Sequence, residues 1–262
     1  MLTEWRSLVL FLSVLGLLYI PVLWFIPESP RWQYFHGDVE QAKTTIKSFG
    51  GNEKEEFLEP VAKQEKSRQG LLDIIKSKSS RKICFILTYV FWAVSAVYYG
   101  LAYGAAKLPG SLYINNLMNS TVECGGLLLM LSMMSGFGRR ALTSITLLFG
   151  ALMLIVTGLC FILGNLELGR WISFIGMLAV STTFGVIWVY AAELYPTSVR
   201  TTGTSVGSMA ARVGAFSAPF IIEITPSWLP YLIYSAIGGL AAALVLFLEE
   251  TSRLPMKNFI TE

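Results

Sequence analysis

The sequence predicts an all-α integral membrane protein with seven transmembrane helices. Three observations carry this expectation. Of the 262 residues 54% are hydrophobic and mean hydropathy is +0.59. Only 14% are charged, against about 25% in a soluble domain. Apolar runs recur near 7–26, 83–103, 111–134, 141–163, 171–192, 203–224 and 229–248, and each approaches the roughly 20 residues that a helix needs to cross the hydrocarbon. β-Barrels would show short alternating segments instead. Long continuous runs select helices, which satisfy their own backbone.

The first run lacks a small-residue cleavage pattern and ends in "PVLWFIPESP", so it reads as a membrane helix and not a signal peptide. The third and sixth runs carry polar insertions. Charge orients the set. With the N-terminus outside, the inside loops hold eleven Lys/Arg in 31–82, then Arg139 and Arg140, Arg200, and Arg253 and Lys257. The outside loops hold Arg6, Lys107 and Arg170, a ratio of sixteen to three. The positive-inside rule therefore predicts an outside N-terminus and a cytoplasmic C-terminus.

The predicted organisation is a transmembrane helix over 1–26, a central cytoplasmic loop over 27–80, a six-helix bundle over 81–248 and a cytoplasmic tail over 249–262. In the loop, Gly50-Gly51 and Pro60 divide a charged linker into two or three short surface helices. Its face can also touch anionic lipid. The single histidine, His36, lies here with no neighbour that points to metal or proton chemistry. Cys84, Cys124 and Cys160 all fall within apolar runs, so they form neither a disulfide framework nor a metal set. "NST" at 119–121 sits in a membrane run and reads as an unused glycosylation acceptor. No HExxH, GxSxG or other catalytic motif is present. The chain is expected to be no enzyme, to hold no metal or other cofactor, and to bind no nucleic acid.

The polar residues inside the runs point to a pathway. Along the sixth run at about 100° per residue, Thr201, Ser205, Ser208 and Arg212 share one line, with Pro219 after them. Gly203, Gly207, Ala210, Ala211 and Gly214 fall roughly opposite. Small residues let helices approach closely in lipid. An intramembrane charge costs several kcal/mol unless it faces water or a partner. Arg212 is thus expected either to line a cavity and meet a ligand or to pair with an acid. A second stripe, Asn115, Asn119 and Glu123, runs along the third segment, with Asn116 beside it. Glu123 either pairs with Arg212 or meets a ligand charge of its own. The alternative for the stripe is hydrogen bonding between helices. Among the many aromatics, Tyr98 and Tyr113 are the candidates for stacking or cation–π contact at a cavity.

Three loops carry motifs: "PESPRW" at 27–32, "GFGRR" at 136–140 and "ELYPTSVR" at 193–200. Pro27 and Pro30 stop the first helix, and Glu28 and Arg31 present opposite charges. Gly136 and Gly138 tighten a turn that ends in Arg139 and Arg140. Glu193 and Arg200 bracket a proline turn. Charges placed so can hold helix ends together in one state and release them in another.

In this order and on one face, these motifs resemble the C-terminal part of a major facilitator superfamily transporter. "AAELYPTSVRTTG" followed by "SMAARVGAFSAPF" is similar to the organic-ion branch of that superfamily, which includes organic cation, organic anion and carnitine transporters. The resemblance covers essentially the whole chain. It implies the family's sixth helix followed by its C-terminal six-helix half, with 27–80 as the central loop. It also implies alternating access in a membrane, expected to be the plasma membrane, with a small organic ion as substrate and a missing N-terminal half as partner. Arg212 matches a position that is basic in anion and carnitine types and acidic in typical cation members. Glu123, in "STVECGG", is similar to "LVEIP" of cation and carnitine types, while Leu127 stands near where anion members carry lysine. An acid with a base would suit a zwitterion such as carnitine, or an organic anion. Substrate-pathway residues are therefore expected to be Arg212, Glu123, Asn115, Asn119, Ser208, Tyr98 and Tyr113. The gate residues are expected to be Glu28, Arg31, Arg139, Arg140, Glu193 and Arg200. Two departures are visible: Ser135 replaces the usual Asp of the GRR turn, and "LEETSRLP" keeps Glu249, Glu250 and Thr251 of "PETKG" but loses its proline. Two further readings stand beside this one: a truncated, non-transporting membrane protein that associates with another half, and, within the superfamily, a sugar transporter.

Overall fold

The computed structural model describes residues 5–17, 19–23, 25–28, 30, 33, 38–49, 71–196 and 199–252. Among them the assigned elements are all helical. The chain divides into two units, 1–67 and 68–262. The first contains α1 (Trp5–Leu17), α2 (Ile20–Leu23) and α3 (Val39–Ser48), so the first apolar run appears as two helical pieces. In α3 the Thr45 hydroxyl donates to Gln33 Oε1 at 3.0 Å. Gly50, Gly51 and Pro60, expected to break the loop, lie outside the described residues, as does His36.

The second unit opens with the short α4 (Leu71–Lys76), followed by α5 (Lys78–Gly104) and a 3₁₀ turn (Ala105–Lys107). Then come α6 (Leu112–Met133), α7 (Arg139–Ile162), α8 (Leu166–Leu194), α9 (Arg200–Ile222) and α10 (Leu229–Val245). Each of the last six expected runs coincides with one of these helices. The stretches Ser80–Lys107, Arg139–Ile162, Leu166–Leu194 and Arg200–Ile222 are long and apolar enough to cross a membrane. Helix α6, 22 residues long, falls short in apolarity because it carries Asn115, Asn116, Asn119 and Glu123. Helix α10 is apolar but ends after 17 residues.

Helices α5, α7, α8 and α10 supply most of two buried clusters. One gathers Leu87, Val90, Phe91 and Val94 of α5 with Leu147, Ile187, Tyr190 and Val245. The other gathers Val97 and Leu101 with Leu154, Met177, Val180 and Tyr234. Lipid offers little hydrophobic drive between helices, so close packing and polar contacts must hold the bundle. Such contacts recur at the crossings. Thr146 and Thr183 hydroxyls join α7 to α8 at 2.7 Å. Thr182 of α8 donates to the Gly126 carbonyl of α6 at 3.1 Å. Tyr234 of α10 donates to the Ala218 carbonyl of α9 at 2.8 Å.

The tightest pairing is α5 with α9, and the small-residue stripe explains it. Gly203, Gly207, Ala211 and Gly214 are all buried. A methyl group built on Gly207 would lie 2.6 Å from the Phe91 ring, and one on Gly214 would collide with the Trp92 carbonyl oxygen. A ring can turn aside, but backbone cannot. Gly214→Val is therefore expected to destabilise the bundle by about 1–3 kcal/mol, the range for overpacking. The check is a thermal melt of the purified chain in detergent, with Val213→Ala, on an exposed position, expected to melt close to the unsubstituted chain.

Candidate functional site

Packing the glycine side of α9 onto α5 turns the other side of α9 toward open space. Thr201, Ser205, Arg212 and Pro219 are exposed, and Ser208 is half-buried. Where this side meets α5 and α8, a cavity of about 180 Å³ is lined by Ser95 and Tyr99 of α5, Phe184 and Trp188 of α8, and Ser208, Ala211 and Arg212 of α9. Its aromatic walls are ordered by ring contacts. Tyr99 meets Phe184 edge-on at 6.5 Å, and Trp188 stands edge-on to Phe91 at 5.0 Å. A guanidinium beside aromatic faces and two serine hydroxyls offers a charge, hydrogen bonds and stacking area within one small volume.

Glu123 does not pair with Arg212. Instead the Tyr98 hydroxyl donates to Glu123 Oε1, joining α5 to α6. The Tyr98 ring stacks on Phe184 at 4.7 Å and 28°, and Phe184 lines the cavity. The acid is thus tied to the cavity wall through Tyr98, and Glu123 itself is half-buried. Among the described residues no carboxylate lies within 4.0 Å of the Arg212 guanidinium.

The other expected pathway residues diverge. Asn115 is 1% exposed, and its side-chain amide donates to the carbonyls of Leu108 at 3.0 Å and Pro109 at 3.3 Å. That amide holds the α5–α6 connection and is not presented to the cavity. Asn119 is buried on the same face of α6. Tyr113 is 84% exposed and does not line this cavity. Ser95, Tyr99, Phe184, Trp188 and Ala211 line the cavity and were not among the expected site residues. A serine, a tyrosine and a phenylalanine inside apolar runs carry no signal until the helices are packed.

A second constellation forms at the end of the bundle that carries the GRR turn. Arg139 Nε lies 3.2 Å from Glu193 Oε2, which also accepts the Thr251 hydroxyl at 2.5 Å. Arg140 donates from its side chain to the Leu248 carbonyl at 3.3 Å. Glu250 Oε1 accepts from the backbone N–H groups of Arg140 at 3.4 Å, Thr251 at 3.0 Å and Ser252 at 3.3 Å. Tyr190 donates to the Glu249 carbonyl at 2.6 Å. The segment after α10 thus straps α7 to α8. A methyl group on Gly138 would collide with the Glu250 carboxylate, so the turn needs glycine there for this close approach. Ser135, standing where an acid was expected, donates to the Ser132 carbonyl at 3.1 Å. Glu250 supplies the acid at the turn. Arg200 is half-buried at the start of α9, and Glu28 is exposed in the first unit; Arg31 lies outside the described residues.

Comparison with known proteins identifies the class. Among solved structures, the proton:xylose symporter XylE of the major facilitator superfamily shares the architecture, with a TM-score of 0.68 at 22% identity over 94% of this chain and 56% of that one. At this identity the likeness establishes the fold alone. The family model described as "Sugar (and other) transporter" matches residues 2–251, and the chain belongs to that family. Among curated relatives, "Solute carrier family 22 member 15-like" of Xenopus tropicalis is 33% identical over 99% of this chain and 55% of its own length. "Organic cation transporter protein" of Drosophila melanogaster is 28% identical over 99% and 50%. "Organic cation/carnitine transporter 2" of Homo sapiens is 27% identical over 99% and 48%. The chain spans about half the length of the curated relatives it matches. The resemblance to the organic-ion branch is borne out, and the relatives are transporters and not enzymes.

The strap yields a pH-dependent expectation. Burial pushes the Glu250 carboxyl up, but backbone donors from Ser252, Thr251, Arg140 and Ala141 outweigh it and hold the carboxyl below the usual carboxylate range. A depressed folded pKa means stability that is present above the unfolded value, about 4.3, and lost as pH falls through the folded value. Glu250→Gln is therefore expected to lower the melting temperature at pH 7. The gap to the unsubstituted chain should close as pH drops below about 4, which melts across pH 3–7 would show.

Proposed function

We propose that the chain is the C-terminal part of a transporter that moves small organic ions across a membrane by alternating access. In this reading α5–α10 form the C-terminal six-helix half and the first apolar run is the helix that precedes it. The N-terminus lies outside and the C-terminus is cytoplasmic, in accord with the charge count, and the plasma membrane is the proposed site. One observation carries the reading: Arg212, without a carboxylate partner among the described residues, sits on an aromatic cavity wall with Ser208, while Glu123 is masked behind Tyr98. An intramembrane charge of this kind belongs on a pathway. It would meet the anionic group of an anion or of a zwitterion such as carnitine. The aromatic faces would stack on the ligand or meet a cationic group, and release of Tyr98 would expose Glu123 to cations.

The size of the cavity supports a shared site. About 180 Å³ is below the roughly 300–1,000 Å³ usual for small-molecule pockets, so a second wall would be needed to enclose a substrate. An N-terminal half would supply that wall. A second reading is a truncated form that docks on another half and transports nothing by itself; it rests on the chain spanning about half the length of the curated relatives it matches. Sugar transport has the weaker support, because a full charge at Arg212 suits charged cargo better.

Uptake of carnitine, tetraethylammonium and p-aminohippurate into proteoliposomes and into cells expressing the chain tests the reading. Uptake of at least one of the three is expected, and Arg212→Ala is expected to cut it roughly 10–150-fold, the cost of a lost charge-assisted hydrogen bond. Arg212→Lys should retain part of it. No uptake in either system would favour the truncated form. Uptake insensitive to Arg212→Ala for all three compounds would remove Arg212 from the pathway.

A further inference from the structure

A larger cavity opens at the other end of the bundle, away from the GRR turn. Its volume is about 310 Å³, within the usual range for small-molecule sites. The floor is apolar: Phe161 at the end of α7 and Tyr231 at the start of α10 stack at 5.2 Å and 16°, with Leu166 and Ile224 beside them. The rim is charged. Lys107 Nζ lies 2.7 Å from Glu223 Oε2 and donates to the Ile222 carbonyl at 3.3 Å. Both side chains remain largely open, 45% and 70% exposed.

At this rim two acceptors, the Glu223 carboxylate and the Ile222 carbonyl, converge on the Lys107 ammonium. Helix α9 ends at Ile222, with Glu223 as its C-cap. A helix C-terminus carries roughly half a negative charge, to which Glu223 adds a full one. Among the described residues Lys107 is the one cation lining the cavity. Arg170, close by on α8, is engaged elsewhere, with Glu167 at 2.9 Å and the Pro109 carbonyl at 3.1 Å. In effect, Lys107 occupies a cation site that the α9 terminus and Glu223 create above an aromatic floor.

We propose that this cavity is a second ligand site, separate from the Arg212 wall, for a monovalent organic cation with an aromatic or branched alkyl body. The body rests on Phe161 and Tyr231. The ammonium displaces Lys107 from Glu223 and the Ile222 carbonyl. The site stands whether or not the chain by itself transports anything, because it is assembled wholly from the ends of the bundle helices and their connections.

The two rim charges give opposite expectations. Ser227 lines the cavity and is exposed, so Ser227→Cys reports occupancy through its reaction with a fluorescent maleimide on the purified full chain. Signal from Cys84, Cys124 and Cys160 is subtracted using the unsubstituted chain. Benzyltrimethylammonium is expected to slow labelling of Ser227→Cys, and benzenesulfonate is not. Adding Lys107→Met, which removes the internal competitor, should lower the half-protecting concentration about tenfold; adding Glu223→Gln should raise it about tenfold. Arg212→Ala should leave protection unchanged, which separates this site from the pathway. Thr225→Cys, on the same rim, serves as a second reporter should Ser227→Cys disturb folding. Protection by benzenesulfonate as strong as by the cation, weaker protection in Lys107→Met, or no protection at either reporter would overturn the proposal.

Discussion

The contact between α5 and α9 decides where everything else in the bundle lies. Gly207 admits the Phe91 ring, and Gly214 admits the Trp92 backbone. With these two residues in place α9 has one rotational setting, because any larger side chain on that face meets ring or backbone. The setting turns Ser208 and Arg212 toward α5 and α8, so that Ser95, Tyr99, Phe184 and Trp188 become their neighbours. A charge that would be prohibitive against lipid is thereby placed on a cavity. The small residues and the arginine are two sides of one design, since the first set fixes the direction of the second.

Much of this was legible in the sequence because helical period is a local property. The glycine face and polar line of α9 follow from spacing alone, and the structure shows the one buried and the other mainly exposed. The last six apolar runs also located their helices closely. The GRR turn and Glu193 were legible as charges destined for one end of the bundle. What spacing cannot give is the partner across a helix crossing. Tyr98 reaches Glu123 over 25 positions, and Glu193 is reached by Thr251 over 58. Asn115 looked equivalent to Asn119 and Glu123 on its stripe, yet its position in the first turn of α6 puts it against the Leu108 and Pro109 carbonyls. Tyr113, in that same turn, is exposed and does not line the cavity.

The two ends of the bundle are built differently. At the GRR end, a strap of backbone and side chain binds α7, α8 and the segment after α10 through Glu193, Glu250 and Tyr190. In it the side chains of Glu250, Arg140 and Tyr190 meet backbone groups. At the other end, charges meet across short connections: Lys107 with Glu223, and Arg170 with Glu167 and the Pro109 carbonyl. Of these, the exposed Lys107–Glu223 pair contributes little to stability. Under the proposed alternating access, such an asymmetry would make one end depend on a strap and the other on competing ions.

Cysteine accessibility along α9 in native membranes tests the central claim most directly. A hydrophilic methanethiosulfonate reagent needs water to reach a thiolate, so it separates a pathway face from packed or lipid-facing positions. Cysteines at Ser205, Ser208 and Arg212 are expected to react, whereas those at Gly207, Ala211 and Gly214 stay protected. Equal reactivity around the helix, or reaction confined to the glycine face, would contradict the placement of Arg212 on a water-filled wall.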